Sequence, residues 1–210
     1  MSADEFLDRV FSHVPDLPRT GGFSYKSWNF AKRPTSEGVG VLPVDIDVDA
    51  MVSCILNVAE YPRNVRYVDS VDVLDSRSDS DFTYVQRLNL PLLGGLQMAL
   101  ALVDAGEREG YRVVSWYQDD DATDALNKKQ GGARTQYNLG AWLLKPDEVI
   151  YALSSAPRKA DVGSLKFAVM TKGAEATARD VLKSNIEGMV AWSPVSYTHL
   201  RAHETERLIS

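Results

Sequence analysis

Hydrophobic positions along this chain fall into two periods, helical at both ends and strand-like between them. Phe6, Leu7, Val10, Phe11 and Val14 recur at helical spacing, and Pro15 stops the run, so a helix is predicted from Ala3 to Val14. The pattern breaks from Asp16 to Pro34 around Pro18, Gly21 and Gly22, where Phe23, Tyr25, Trp28 and Phe30 gather. Tyr25 to Phe30 reads as a short edge strand. Val39 to Val48 reads as a strand that Pro43 confines to an edge or a bulge. Asp49 is placed to cap a short helix, Ala50 to Ala59, which Tyr61-Pro62-Arg63-Asn64 ends.

Four strands are predicted next, with turn signals between them: Val65 to Leu74, Phe82 to Leu90, Leu96 to Asp104 and Tyr111 to Gln118. The acidic stretch Asp119 to Gln130 reads as a solvated loop. Arg134 to Leu144 and Val149 to Ser155 form two further strands around a Lys145-Pro146-Asp147-Glu148 turn. A long amphipathic helix closes the pattern from about Ser164 to Trp192, with Gly173 as a kink. Phe167, Met170, Ala174, Ala178, Val181, Leu182, Ile186, Met189 and Val190 mark its apolar face. The short connections require a largely antiparallel meander, because parallel strands need long crossovers. The fold class is therefore α+β, a curved antiparallel sheet of about seven or more strands around a C-terminal helix, with an extra N-terminal helix.

Such a sheet can leave an apolar hollow beneath the helix. On the strand at 134–144, Tyr137, Leu139, Ala141 and Leu143 alternate with Gln136, Asn138, Gly140 and Trp142. On the strand at 96–104, Gln97, Ala99 and Ala101 alternate with Met98, Leu100 and Leu102. Small and polar residues on the inward face would leave room for a ligand. The expected ligand-binding set is Tyr67, Val71, Tyr84, Gln86, Ala99, Ala101, Tyr117, Tyr137, Leu139, Ala141, Phe167 and Met170. Asn138 is a further candidate for a polar contact.

Composition narrows the function classes. Hydrophobic residues make up 44% and charged residues 25% of the 210, the balance of a globular protein. The net charge of −6 argues against nucleic acid as a partner, and no basic stripe is interleaved with aromatics. No run reaches membrane-spanning length, and the acidic N-terminus lacks a signal-peptide pattern, so a cytoplasmic location is expected. A single cysteine excludes an internal disulfide and disfavours a cysteine metal site. The segment Val195-Ser-Tyr-Thr-His-Leu-Arg-Ala-His-Glu-Thr closely resembles a translated sequencing-adapter peptide. Residues 194–210 are accordingly expected to be non-native and 1–193 to form the domain. This removes His199 and His203 as a metal-ligand pair.

The only other histidine, His13, is expected on the polar side of the first helix, which leaves no Ser/His/Asp or Cys/His nucleophilic system. Cys54 reads as a small buried apolar side chain. Asp45, Asp47 and Asp49 imitate the start of a calcium loop, but its sixth and twelfth positions hold Ala50 and Leu56. Asp119 to Asp121 with Asp124 read as solvated, and Gly21-Gly22, Gly94-Gly95 and Gly131-Gly132 read as turns. No metal or cofactor is expected.

Tyr61-Pro62-Arg63 before a Val-rich strand, Gly140-Ala-Trp-Leu-Leu-Lys-Pro146 before Val149-Ile-Tyr151, and the closing helix resemble the START family of lipid-transfer domains. That family belongs to the helix-grip superfamily, with the birch-pollen allergen and the polyketide cyclases. The resemblance spans about Ala3 to Trp192. It departs where START domains often carry Arg-Asp, here Leu96-Gln97, and at Asp161-Val162-Gly163-Ser164-Leu165, which lacks the family's proline. It implies binding, and with it transfer, of a lipid or other apolar small molecule, with transient membrane contact compatible and oligomeric state open. Two rival readings are a cyclase/aromatase-type enzyme and an interaction domain with a filled core that docks through Phe23 to Phe30. The missing histidine favours binding over catalysis.

Overall fold

A computed structural model describes residues 3–90 and 94–193; the expected non-native segment lies outside them, as do the two tail histidines. Eight strands form one sheet: β1 Ser24–Trp28, β2 Glu37–Pro43, β3 Val68–Ser78, β4 Asp81–Leu90, β5 Gly94–Arg108, β6 Tyr111–Gln118, β7 Ala133–Lys145 and β8 Glu148–Pro157. Their order is β1-β2-β8-β7-β6-β5-β4-β3, every neighbouring pair antiparallel, with a short parallel pairing of β5 to β7 at Leu96–Ala133. Bulges bend it, one of them at Gly106 of β5, whose φ of +75° favours glycine. The curvature folds the sheet partly around one face.

The helices are α1 Ala3–His13, α2 Val48–Leu56, α3 Tyr61–Asn64, α4 Asp120–Gln130, α5 Lys159–Val162, α6 Ser164–Lys172 and α7 Ala174–Trp192. A buried cluster on the concave face joins α2, α3 and α7 to Tyr84, Leu100, Trp116, Trp142 and Tyr151 of the sheet. A second cluster on the convex face joins Phe6, Leu7, Val10 and Phe11 of α1 to Val113, Leu139, Ala141 and Leu143. The sheet is thus sandwiched between two helical layers. No helix among the described residues is long and apolar enough to cross a membrane.

Several elements differ from the sequence expectation. The acidic stretch is a helix, α4, because Asp119 caps it by accepting from Ala122 N at 2.9 Å. Asp120 and Asp121 sit in its first turn, Lys128 and Lys129 in its last, and Gly131 ends it at φ +69°. Asp47, not Asp49, caps α2, accepting from Ala50 N at 3.0 Å, so the helix starts earlier. β2 is not an edge strand, since β1 flanks it. Pro43 is still accommodated: it lies beyond the reach of β1, and the next residue, Val44, donates to Asp147 O at 3.0 Å on the paired side. The closing helix is two helices, α6 and α7, divided at Gly173, and Tyr61–Asn64 is a short helix rather than a stop. His13 is half-buried, its ring 3.9 Å from that of Trp28, rather than on a polar face.

Candidate functional site: two adjoining hollows under the closing helices

Aromatic side chains line most of the concave face. The Trp116 ring stacks on Tyr151 at 5.3 Å, and Trp142 lies 4.2 Å from the same tyrosine. Tyr61 meets Tyr84 edge-on at 6.3 Å. These rings and Leu100, Leu102 and Met189 enclose an inner chamber of about 90 Å³. Beside it, toward α6, lies a larger hollow of about 420 Å³, walled by Leu88, Leu96, Leu153, Ala156, Met170 and Ala178 among others. Tyr67, Leu88, Asn138, Leu153 and Val181 belong to both walls, so the two spaces adjoin.

α6 roofs the outer hollow through Val169 and Met170, and Gly173 lies at the junction with α7. No residue of α6 is buried, and Leu165 and Val169 are 81% and 60% exposed. By contrast, Leu182, Ile186 and Met189 of α7 are sealed into the concave core. The roof is therefore weakly held and the helix behind it firmly held.

Polar groups are few and mostly paired within the walls. Asn138 accepts from Trp116 Nε1 at 2.8 Å and donates to Ser155 Oγ at 3.2 Å. Tyr84 donates to Gln86 Oε1 at 3.2 Å, and Tyr61 donates to Ile55 O at 2.5 Å. Asn185 Nδ2 donates to the Tyr151 hydroxyl at 3.3 Å. Burial pushes the hydroxyl pKa values of Tyr61, Tyr84 and Tyr151 above the ordinary tyrosine range, reinforced by neighbouring tyrosines at Tyr61 and Tyr84. All three are neutral hydrogen-bonding groups across the physiological range. Tyr67 carries a left-handed backbone, φ +69°, where β3 begins, with Arg66 stacked 4.6 Å over its ring. Tyr67 shares in both walls. Cys54 is buried and its thiol pKa is raised by that burial. No group of metal-ligating side chains forms among the described residues.

Four of the twelve sequence-chosen residues line these spaces: Tyr67, Tyr84, Gln86 and Met170. Val71 pairs with Gln86 on the concave face and packs against the core beside them. Phe167 is half-buried on α6, outside both walls, with Lys159 Nζ 6.0 Å from its ring. The other six lie on the convex face, which corrects the expected inward face. Leu139 and Ala141 pack under α1, and Tyr137 reaches Thr35 with Arg33 over its ring. Ala99 lies beneath α4, its backbone bonded to Thr123 Oγ1 at 3.0 Å, while Ala101 pairs with Tyr117, itself 39% exposed. Small residues mark where helices approach the sheet closely, not where space is left. Trp116, Tyr151, Val181 and Asn185 were missed, although Trp116 and Tyr151 lie on strands correctly placed.

No family model and no curated protein matches the sequence. Solved structures do share its fold. The STAR-related lipid transfer protein from Xanthomonas axonopodis matches with a TM-score of 0.67 at 14% identity, over 83% of this chain and 96% of that one. Human StAR-related lipid transfer protein 5 matches with a TM-score of 0.68 at 10% identity, over 90% and 95%. The di-domain aromatase/cyclase StfQ from the steffimycin biosynthetic pathway matches at 0.51 and 13% identity, over 80% of this chain and 51% of that one. The chain thus has the START-type α+β helix-grip fold.

Proposed function

We propose that this chain binds, and passes on, a lipid or other apolar small molecule held between the concave face of the sheet and the closing helices. One observation carries the reading: the outer hollow is roofed by a helix with no buried residue of its own. A sealed core would anchor that helix. A roof that admits a ligand must be able to lift, and Gly163 and Gly173 flank α6 as points about which it can turn. The fold likeness to proteins named for lipid transfer agrees with this reading.

The energetics suffice. Burying about 400 Å² of apolar ligand surface yields on the order of 10 kcal/mol gross. Association takes back at least about 4 kcal/mol of it, leaving at most about 6 kcal/mol, a dissociation constant of tens of micromolar or weaker without strong polar contacts. Such moderate affinity suits a carrier that must also release its cargo.

The test is retention of lipid. The chain is equilibrated with vesicles of a total cellular lipid extract, the vesicles are removed by ultracentrifugation, and the protein left in solution is extracted into organic solvent and analysed by mass spectrometry. Close to one apolar molecule per chain is expected. Val181→Trp, which places an indole in the wall common to both hollows, is expected to lose it while remaining folded by circular dichroism. Protein that emerges free of lipid in the wild-type form sinks the proposal.

A further inference from the structure

Among the side chains that line the inner chamber, Asn185 alone has a buried polar atom without a partner. Its Oδ1 meets no hydrogen-bond donor among the described residues, although the residue is only 8% exposed. Such an atom costs roughly 1–3 kcal/mol when left unpaired. The other buried polar side chains of the chamber are occupied: Asn138 by Trp116 and Ser155, Tyr84 by Gln86, and Tyr61 by the Ile55 carbonyl. Among the buried side chains, what remains open is the pair Asn185 and Tyr151, joined by one 3.3 Å bond.

We infer that the inner chamber receives a neutral hydroxyl- or amide-bearing end of the ligand, bound between Asn185 and Tyr151, while the apolar remainder lies in the outer hollow. The inference rests on the reading of these hollows as a ligand site. In the observed arrangement Asn185 Nδ2 donates to the Tyr151 oxygen, so Tyr151 keeps its proton to give and Asn185 Oδ1 is open to accept. Turning the amide by half a turn exchanges the roles. Tyr151 then donates to Oδ1, and an N–H is left to give beside the Tyr151 lone pair. Either way the pair offers one donor and one acceptor side by side. A hydroxyl or an amide matches both; an alkyl end matches neither.

Charge excludes the anionic alternatives. No carboxylate lines the chamber, and its one cation, Arg66, is an exposed residue packed over Tyr67. Nothing buried there would balance a carboxylate or phosphate, and the raised pKa values of Tyr84 and Tyr151 show that negative charge is disfavoured at this depth. Trp116 and Trp142 both pack against the Tyr151 ring, 5.3 Å and 4.2 Å from it, so its hydroxyl is held in place before binding.

Three probes of equal chain length test this on the full chain at pH 8: 1-decanol, decyl methyl ether and decanoate, titrated by calorimetry. Wild type is expected to prefer decanol to the ether by about tenfold, the contribution of one neutral hydrogen bond, and to bind decanoate most weakly. Asn185→Leu keeps the side-chain volume, removes the unpaired atom, and is expected to bring the ratio of decanol to ether affinity close to one. Tyr151→Phe deletes a single oxygen and gives a second reading, a loss in the same direction, should the leucine variant fold poorly. Equal binding of decanol and ether, or tightest binding of decanoate, overturns the inference and leaves the proposed function standing. If none of the three probes binds, the proposed function falls, and the inference with it.

Discussion

At the scale of single residues, the aromatic lining depends on a glycine. A Cβ built on Gly140 would lie 1.9 Å from the Trp116 ring, so the indole occupies the space that any other residue would need. Gly140 pairs with Trp116 across β6 and β7, and this close approach lets the ring lie flat, stack on Tyr151 and donate to Asn138. Gly140→Ala is therefore expected to destabilise the fold by about 1–3 kcal/mol, the usual cost of overpacking, and to shift the tryptophan fluorescence. Stability within about 0.5 kcal/mol of wild type, the range of neutral surface changes, with unaltered fluorescence would show that the ring has another resting place. The same strand explains why the sequence revealed strand positions but not their facing. Asn138, Gly140 and Trp142 look inward, while Leu139 and Ala141 look toward α1, and both sets are buried. With helices on both faces, polarity does not alternate with exposure. Side-chain volume then misleads, because Ala99 is small to admit α4 rather than a ligand.

At the scale of elements, α6 and α7 are one apolar pattern in sequence and two mechanical units in the structure. The pattern carries on from Met170 to Leu182, but burial begins only well inside α7. Amides of α6 are expected to exchange with deuterium well before those of Leu182 to Met189, since few buried contacts oppose local opening. Equal protection across the two helices would rule out a lifting roof. Gly173 itself is not strained: its φ is −95°, and an added Cβ would meet only the Val169 carbonyl oxygen, at an ordinary 3.6 Å. Gly173→Ala is accordingly expected to stabilise the chain by roughly 0.4–1 kcal/mol through the unfolded state, measured as a raised Tm; a fall would mean that the junction needs glycine. α4 teaches a different lesson. Its capping aspartate, acidic first turn, basic last turn and terminal glycine were all present in the sequence. Its low hydrophobicity hid them, because α4 contributes one buried side chain, Thr123, bonded to the β5 backbone at Ala99.

At the scale of the whole molecule, both cores are closed by buried tyrosines, and this couples stability to alkaline pH. Tyr61, Tyr84 and Tyr151 stand in the concave core, and burial raises the pKa of each above the ordinary 10.0. Tyr111, in the convex core, is pushed up to about 12 by burial first and then by Glu148, to which it donates at 2.7 Å. In each case the folded state holds the proton more tightly than the unfolded state does. The stabilising contribution is therefore complete below pH 10 and is lost as pH rises through the folded-state values. For Tyr111 that window runs from 10.0 to about 12. The remaining buried tyrosines extend it upward, so unfolding should overtake their titration. Tyrosinate absorbance from these buried hydroxyls is thus expected to rise steeply and to coincide with loss of near-ultraviolet circular dichroism. A bound ligand stabilises the folded form by mass action and should move this rise to higher pH. A single smooth titration near pH 10, with tertiary structure retained, would mean that water reaches these hydroxyls and that the concave face is wetter than its apolar walls require.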